Sequence, residues 1–186
     1  MNDAKKRPIE GLKLEVAKEH EWGEVLSVIQ DAYAEFEGDS DEEFWKGYQR
    51  SIEKTILEDD SVIRIVAKDR TSDGDKIVAA VLYCLPHERQ LGNAVVKNPF
   101  PEFRLLAVPP QSRNRGLAGL LIEHCEAMAR EAGSPTITLH TTVLMQTAKN
   151  MYERRHYIRY PEIDFEPVPG FIVWGYRKDF AEHDTE

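Results

Sequence analysis

Residues 113–118 combine two arginines, an asparagine and a glycine, and stand between a strand-like apolar run at 103–108 and a helix-like run that begins near Leu117. The start of a helix leaves backbone N–H groups without partners and carries partial positive charge, so it can bind a phosphate. Gly116 leaves room for a phosphate to approach the backbone, and the two arginines add charged donors. This basic turn (residues 113–118) predicts a site for a phosphorylated cofactor. A basic loop that only caps a surface helix is the alternative.

Other nucleotide-binding and catalytic motifs are absent from the sequence. No Gly-Lys-Ser or Gly-Lys-Thr follows the basic turn and no Gly-x-Gly-x-x-Gly occurs, which excludes a Walker loop and a dinucleotide fingerprint. Gly-x-Ser-x-Gly is absent as well, so a serine nucleophile on an elbow is not expected. The six histidines and two cysteines show no close paired spacing of the zinc type, and we expect no metal site.

A second segment, at 148–157, reads Ala-Lys-Asn-Met-Tyr-Glu-Arg-Arg-His-Tyr and follows an alternating strand candidate at 136–141. The pattern Arg-x-x-Gly-x-Ala of the basic turn, after a strand that ends Leu-x-Val-Pro, resembles the acetyl-CoA signature of the GNAT superfamily of N-acetyltransferases. The segment at 148–157 resembles the second cofactor segment of that superfamily, Ala-x-x-Leu-Tyr-x-x-x-Gly-Phe. The order of the two segments also agrees, and the resemblance covers residues 75–178.

The resemblance implies an acetyl-CoA-dependent N-acetyltransferase that passes the acetyl group directly to a primary amine, with acetyl-CoA as co-substrate. It implies an α/β protein with the acyl-CoA N-acyltransferase (GNAT) fold, in which a mixed, mostly antiparallel central sheet carries helices on both faces. In that fold the fourth and fifth strands splay apart and the thioester lies between them. The implied cofactor-binding residues are Leu106 and Val108, whose backbone would pair with the pantetheine arm, and Arg113, Asn114, Arg115, Gly116, Leu117 and Ala118, which would hold the diphosphate.

Tyr152 occupies the superfamily's position for a catalytic acid. Acyl transfer releases a thiolate, whose pKa is about 8.5 as a free thiol, and a neutral tyrosine hydroxyl can donate a proton to it. Tyr152 stands four residues after Ala148, so both lie on one helix face, where the small alanine would let the pantetheine pass. A tyrosine packed in the core of an amphipathic helix is the alternative.

Glu102 is the candidate base, because an alkyl amine with a pKa of about 10.4 must lose a proton before it attacks. Many superfamily members place a glutamate near this strand start to accept that proton, often through water. An ordinary solvent-exposed glutamate is the alternative. Alternation along a strand predicts that residues 102, 104, 106 and 108 share one face.

The acceptor itself is not specified by the sequence. Tyr33, Glu35 and Phe36 are candidate acceptor-site residues because their loop borders the acceptor cleft in the superfamily, and His140 could face the cleft from its strand. Residues 19–60 contain 14 Asp and Glu against three Lys and Arg, a net charge of −11. This charge is interpreted either as solvated helix faces or as an acidic rim that attracts a cationic acceptor.

Two positions depart from the superfamily's pattern. Met145 stands where many members have an asparagine near the pantetheine, which would loosen one cofactor contact. His156 replaces the usual glycine before Tyr157. Either this helix end does not need a left-handed residue, or a histidine adopts that conformation here. A non-catalytic acyl-CoA-binding sensor with the same fold is the alternative function.

Hydrophobic periodicity predicts the elements that position these residues. A long, functional loop is expected at 86–101, where prolines and a glycine interrupt the pattern. Either Ser40 or Asp41 is expected to cap the second helix. The predicted strands are 12–17, 62–67, 76–85, 103–108, 136–141 and 171–176. The predicted helices are 22–36, one ending near 58, one from 117 to about Gly133, and one that carries Ala148 and Tyr152.

Length and composition indicate one domain over residues 1–186, large enough to bury a core. The net charge of −9 argues against a nucleic-acid partner, and the absence of a long apolar run or a signal-like start argues against a membrane. Cys84 and Cys125 are expected to be buried thiols, consistent with a cytoplasmic location. The expected partner is a small-molecule or protein amine, and the resemblance allows a homodimer.

Overall fold

The fold is described by a computed structural model that covers residues 11–39, 41–71, 74–91 and 94–181. The α-helices in these ranges are α1 (Trp22–Tyr33), α2 (Glu42–Leu57), α3 (Leu117–Glu131) and α4 (Gln146–Arg154). The strands are β1 (Leu12–Val16), β2 (Val62–Thr71), β3 (Gly74–Cys84), β4 (His87–Leu91), β5 (Ala94–Asn98), β6 (Glu102–Ala107), β7 (Thr136–Thr141), β8 (Ile158–Arg159), β9 (Phe165–Val168) and β10 (Phe171–Asp179).

One sheet organises the described part of the chain, with the strand order β1-β2-β3-β6-β7-β10-β8 and with β9 paired to β10. Its paired strands run antiparallel except for β6 and β7, which are parallel. Helices α1 and α2 pack on one face of the sheet, and α3 and α4 pack on the other. This arrangement confirms the predicted mixed, mostly antiparallel sheet with helices on both faces.

Strand β3 shows why the sheet needs helices on both sides. Its residues 77–84 are all buried, some in the core beneath α3 and the others in the core beneath α1 and α2. A strand that is buried on both faces reads as a continuous apolar run in the sequence. Cys84 and Cys125 are both buried, as predicted. Within the described ranges, no helix has the length and apolarity that a membrane crossing requires.

Strand β6 contains a bulge directly before the predicted cofactor site. Ala80 pairs with Ala107 and Leu82 pairs with Arg104, so β6 has one residue more than β3 between these two pairs. Leu105 lies within the bulge and has a φ of 48°, which is uncommon for a residue with a side chain. A bulge of this kind bends the strand and leaves one residue outside the regular pairing.

The bulge reverses the alternation of side chains along the strand. Leu106 and Val108 pack against the core beneath α3 and α4, whereas Arg104 lies on the opposite side, toward α1 and α2. The prediction that residues 102, 104, 106 and 108 share one face is therefore wrong. Its physical reason is that an extra residue shifts the period of two by one position.

Strands β6 and β7 separate soon after they meet. In the described part of the chain they pair only at Glu102 with Thr138 and at Phe103 with Leu139. Residues 104–107 of β6 and 140–141 of β7, which follow these pairs, face a gap, so their backbone groups on that side are available to another extended molecule. We call this gap the splay.

The predicted long loop at 86–101 is wrong, because most of it forms the hairpin β4–β5. The expected breakers at 92 and 93 lie outside the described residues. Asn98 ends the hairpin as a buried residue and donates from Nδ2 to Thr138 Oγ1 at 2.7 Å. The hairpin is thereby fastened to β7 next to the splay.

Helix α2 is capped by Asp41, whose carboxylate accepts from the N–H groups of Glu43 at 2.9 Å and Phe44 at 3.2 Å. Ser40, the other predicted cap, lies outside the described residues. An aspartate at this position satisfies two N–H groups that a helix start would otherwise leave unpaired. The cap fixes where α2 begins after the short 3-10 turn that follows α1.

We expect Gly175→Ala to destabilise the fold by about 1–3 kcal/mol. A Cβ at this position in β10 would lie 2.6 Å from the backbone oxygen of Tyr160 and closer still to Cγ1 of Ile163. Gly23→Ala in α1 is the matched control, because its Cβ would meet no atom within 4 Å. Urea unfolding should show a lower midpoint for the first variant and an unchanged or slightly higher one for the second. Equal midpoints would contradict the close packing at Gly175.

Candidate active site

The basic turn ends in a helix start whose backbone donors are open. Helix α3 begins at Leu117, and its N-cap Gly116 has a φ of 75° and provides no side-chain cap. The first hydrogen bond of the helix runs from the N–H of Leu120 to the oxygen of Gly116 at 3.1 Å. The N–H groups of residues 117–119 are therefore beyond the reach of intrahelical partners. A Cβ at Gly116 would meet no atom within 4 Å, so the space in front of these donors is open.

The two arginines of the turn are held in different ways. Arg113 donates from Nε to the oxygen of Val108 at 3.1 Å, and its other nitrogens bind the carboxylate of Glu35 at 3.0 and 2.7 Å. Arg115 pairs with Asp69 at 2.8 Å. Both arginine side chains are about one third exposed, at 37% and 34%, and ion pairs of this exposure contribute little stability. The arginines can therefore turn toward an anion at small cost.

The predicted pantetheine-binding residues lie beside the splay. Leu106 belongs to β6 beyond the last pair with β7, and Val108 follows the end of that strand. Asn114 and Ala118 lie on either side of Gly116, and Asn114 has a φ of 63°. The structure thus brings the splay and the open helix start together on one continuous backbone path.

Tyr152 is a buried residue of α4. It is 6% exposed, and its ring lies 5.9 Å from that of Phe103 and 6.0 Å from that of Tyr157. Burial, and to a lesser degree Cys125, raises the pKa of Tyr152 well above its ordinary value. The hydroxyl therefore keeps its proton at neutral pH and can donate it.

Glu102 is buried and is held by two histidines. Its Oε1 lies 2.6 Å from Nδ1 of His140, and its Oε2 lies 3.3 Å from Nε2 of His87. The alternative of an ordinary solvent-exposed glutamate is wrong, because the residue is 1% exposed. The other ring nitrogen of His140, Nε2, lies 2.7 Å from the oxygen of Ile163. Both nitrogens of His140 face oxygen atoms, an arrangement that favours the doubly protonated, cationic ring beside Glu102.

The pair shifts both pKa values in the direction that favours charge. Burial alone would raise the pKa of Glu102, but His140, His87 and Arg104 together hold it well below its ordinary value. Burial alone would lower the pKa of His140, but Glu102 and the oxygen of Ile163 raise it above its ordinary value. Both directions favour the charged forms of Glu102 and His140, which face each other across β6 and β7.

The pair predicts how stability depends on pH. The pKa of Glu102 is lowered by folding, so this residue stabilises the native state above its unfolded pKa of about 4.3, and that stabilisation is lost as the pH falls. The pKa of His140 is raised by folding, so its stabilisation is fully present below its unfolded pKa of about 6.5 and is lost as the pH rises. We expect His140→Gln to lower the unfolding free energy more at about pH 5.5 than at about pH 9. His20→Gln, at an exposed position, is the control. A pH-independent difference in urea unfolding would contradict the charged pair.

A cavity of about 440 Å³ opens between α1, α2, the splay and the β9–β10 hairpin. We call it the aromatic cavity. Tyr33 and Phe36, two of the predicted acceptor-site residues, line it together with His140, whereas Glu35 is paired with Arg113 instead. Its other lining residues are Phe44, Trp45, Gly47, Tyr48, Ser51, Arg104, Leu105, Thr141, Thr142, Leu144, Met145, Phe165, Pro167, Val168, Phe171 and Val173.

Sequence reasoning missed most of the aromatic cavity. The concentration of aromatic residues between Tyr33 and Tyr48 was a usable signal, because helical spacing places several of them on one side. Phe165 and Phe171 gave no such signal, since they reach the cavity through the pairing of β9 with β10. The pKa of Tyr33 is raised mainly by burial, next by Tyr48 and then by Tyr152. Tyr152 therefore lies within electrostatic range of this residue of the cavity wall.

The two departures from the expected sequence pattern are both accommodated. His156 has a φ of 67°, so a histidine adopts the left-handed conformation at the end of α4. Its N–H donates to the oxygen of Glu153 at 3.0 Å, which closes the helix end. Met145 is the N-cap of α4, without a side-chain cap, and lines the aromatic cavity.

Comparison with known proteins identifies the family whose pattern this site follows. Residues 22–157 match the family model described as Acetyltransferase (GNAT) family. This match spans α1, the basic turn, the splay and α4. No match was found among curated proteins.

Several solved structures share the fold. A PaiA N-acetyltransferase from Thermoplasma acidophilum, solved in complex with coenzyme A, is 9% identical over 91% of this chain and 99% of its own, with a TM-score of 0.63. A GNAT family acetyltransferase from Staphylococcus aureus is 14% identical over 90% and 98%, with a TM-score of 0.64. A GNAT family acetyltransferase from Brucella melitensis, solved with acetyl-CoA, is 15% identical over 91% and 88%, with a TM-score of 0.60.

Proposed function

The chain belongs to the GNAT family of acetyltransferases, and from this premise we propose that it is an acetyl-CoA-dependent N-acetyltransferase acting on a primary amine. The observation that carries the proposal is the alignment of three features along one path. The open start of α3 leads into the splay, and the splay opens into the aromatic cavity. Such a path suits a long molecule with a diphosphate at one end and a reactive group at the other.

The co-substrate fits the residues along this path. The N–H groups of 117–119 and the arginines of the basic turn would hold its diphosphate, and the open space at Gly116 lets the diphosphate reach the backbone. The pantetheine amides would pair with the unpaired edge of β6 at Leu106 and Val108. The proposal that residues 113–118, with these two strand residues, form the cofactor site rests on this fit.

The chemistry requires a carbonyl carbon to exchange sulfur for nitrogen. The amine nitrogen forms a bond with the thioester carbon, the carbon–sulfur bond breaks, one amine proton leaves, and the thiolate receives a proton. We propose Tyr152 as the donor of that last proton, since burial keeps its hydroxyl neutral. We also propose that a backbone N–H at the Leu105 bulge stabilises the oxyanion, because a bulge leaves one residue outside strand pairing.

Glu102 is better suited to positioning than to direct proton removal. Its pKa lies below the ordinary value and its carboxylate is bound to His140, so it is a weak base and is not open to the amine. We propose that Glu102 holds His140 at the cavity wall and that the amine proton leaves through water in the cavity. The pH dependence of kcat/KM should then follow the pKa of the acceptor amine. A profile set by a group with a pKa independent of the acceptor would overturn this assignment.

Turnover is the test that separates an enzyme from a non-catalytic acyl-CoA sensor. The protein would be mixed with acetyl-CoA and a panel of amines, and thiol release and acetylated product would be measured. Amine-dependent release with a matching product supports the proposal. Tight binding of acetyl-CoA without release for any amine would favour the sensor. Three further expectations stay predictions: a single domain over residues 1–186, a cytoplasmic location, and an acceptor that is neither nucleic acid nor membrane.

A further inference from the structure

The aromatic cavity has no Asp or Glu among the described residues that line it. The acidic residues at 41–43 lie around a separate surface hollow with Lys46 and Arg50, and Glu35 is paired with Arg113. The strong negative charge of residues 19–60 is therefore not carried into the cavity. A cationic acceptor would find no carboxylate partner on the described walls.

Arg104 brings a positive charge to the same walls. Its side chain is 21% exposed, and its Nε lies 3.9 Å from Oε1 of Glu102, beyond hydrogen-bond distance. Glu102 is already bound by His140 at 2.6 Å, and no hydrogen bond joins the Arg104 guanidinium to another described residue. Glu102 faces two basic groups, His140 and Arg104, so its single carboxylate does not balance both, and the Arg104 guanidinium keeps open donors.

Two threonines at the wall keep their hydroxyls away from the cavity. Thr141 and Thr142 line the cavity and are 2% and 8% exposed. The Oγ1 atom of each is buried and has no hydrogen-bond partner among the described residues. Because neither oxygen is accessible, neither hydroxyl is open to a molecule in the cavity.

We propose that the acceptor is an amine that also carries a carboxylate and an apolar body, which is the chemistry of an apolar amino acid. The inference rests on the proposed function. The Arg104 guanidinium binds the carboxylate in its planar fork. The apolar body packs against the aromatic rings, while the amine points toward the splay. A volume of about 440 Å³ lies within the usual range for small-molecule sites.

The test compares amines with and without a free carboxylate. Wild-type protein with acetyl-CoA would be given L-phenylalanine, L-leucine and L-tryptophan, each beside its amide, and spermidine as a cationic amine. We expect kcat/KM for each amino acid to exceed that for its amide and for spermidine by about tenfold or more, as a charge-assisted contact in a cavity implies. A preference for spermidine or for the amides would overturn the inference.

Two variants test whether Arg104 causes the preference for a carboxylate. Arg104→Gln should raise the KM for L-phenylalanine by about 10- to 100-fold and leave the KM for its amide unchanged. Arg50→Gln, an exposed arginine on α2, should change neither. With coenzyme A present and no turnover, L-phenylalanine should raise the Tm of wild type more than its amide does, and Arg104→Gln should lose this difference. An equal effect of Arg104→Gln on both ligands would contradict the role of Arg104.

The same experiment separates the two proposals. If spermidine is acetylated and the amino acids are not, the acetyltransferase function stands and the carboxylate-bearing acceptor is wrong. If acetyl-CoA raises the Tm but no amine in the panel releases thiol, both the proposed turnover and the acceptor class fail. Thermal unfolding of Arg104→Gln without ligand shows whether the variant is folded before its KM is interpreted.

Discussion

Replacing Tyr152 by phenylalanine is expected to lower kcat by about 10²- to 10⁴-fold, the usual contribution of a general acid, and to leave the KM for acetyl-CoA little changed. The substitution removes the hydroxyl alone, while the ring keeps its contacts with Phe103 and Tyr157. The pKa of Tyr152 is raised by burial, so the wild-type residue holds its proton until the thiolate forms. Steady-state thiol release at saturating acceptor measures the effect.

Tyr157→Phe is the matched control for this prediction. Tyr157 lies in the same aromatic cluster, but its hydroxyl donates to Glu126 at 3.0 Å on the side of α3. Loss of that bond should cost about 1 kcal/mol of stability and leave kcat unchanged. An unaltered kcat in Tyr152→Phe, or an equal fall in both variants, would remove Tyr152 from the mechanism.

Gly116→Trp is expected to abolish measurable binding of acetyl-CoA. The indole would fill the open space in front of the N–H groups of 117–119, where the diphosphate is proposed to lie. A tryptophan at a φ of 75° also strains the backbone by about 1–3 kcal/mol, so stability must be followed separately. Calorimetric titration with acetyl-CoA measures binding, and urea unfolding measures the strain.

Gly133→Trp controls for the strain. Gly133 follows the other end of α3 with a φ of 74°, and a Cβ there would also meet no atom within 4 Å. The two variants should therefore lose similar stability, but only Gly116→Trp should lose acetyl-CoA. Retained binding in Gly116→Trp, or lost binding in both, would show that the basic turn is not the diphosphate site.

The chemistry that could be predicted from the sequence is carried by short segments. The basic turn is a run of neighbouring residues, so a strand end, a glycine that leaves room for a phosphate and a helix start could be predicted together, and the structure has Gly116 as the N-cap of α3. The placement of Tyr152 on a helix with Ala148 depends only on helical spacing. Local patterns of this kind do not depend on how distant strands pair.

The parts that sequence reasoning missed depend on contacts between distant segments. Glu102 and His140 are 38 residues apart and meet only because β6 and β7 pair in parallel at their starts. The bulge at Leu105 arises from the register with β3, so strict alternation along β6 fails. The walls supplied by Phe165 and Phe171 require the β9–β10 hairpin to fold back over the splay.

The charge of the aromatic cavity also could not be predicted from the sequence. The sequence of residues 19–60 is strongly acidic, and one interpretation predicted an acidic rim for a cationic acceptor. The described walls of the aromatic cavity carry Arg104 and His140 and no carboxylate. Net charge along the chain therefore did not indicate the charge of the cavity, because exposed helix faces and cavity walls are separate surfaces.

The measurement that tests the central claim most directly is a thermal-shift titration of the wild-type protein with acetyl-CoA. Acetyl-CoA at about 100 times its Kd should stabilise the native state by about 2.7 kcal/mol, and the Tm should rise with concentration as a single-site ligand requires. That result is expected if the start of α3 and the splay hold the co-substrate. No rise in Tm at any acetyl-CoA concentration would contradict the cofactor site, and with it the acetyltransferase function.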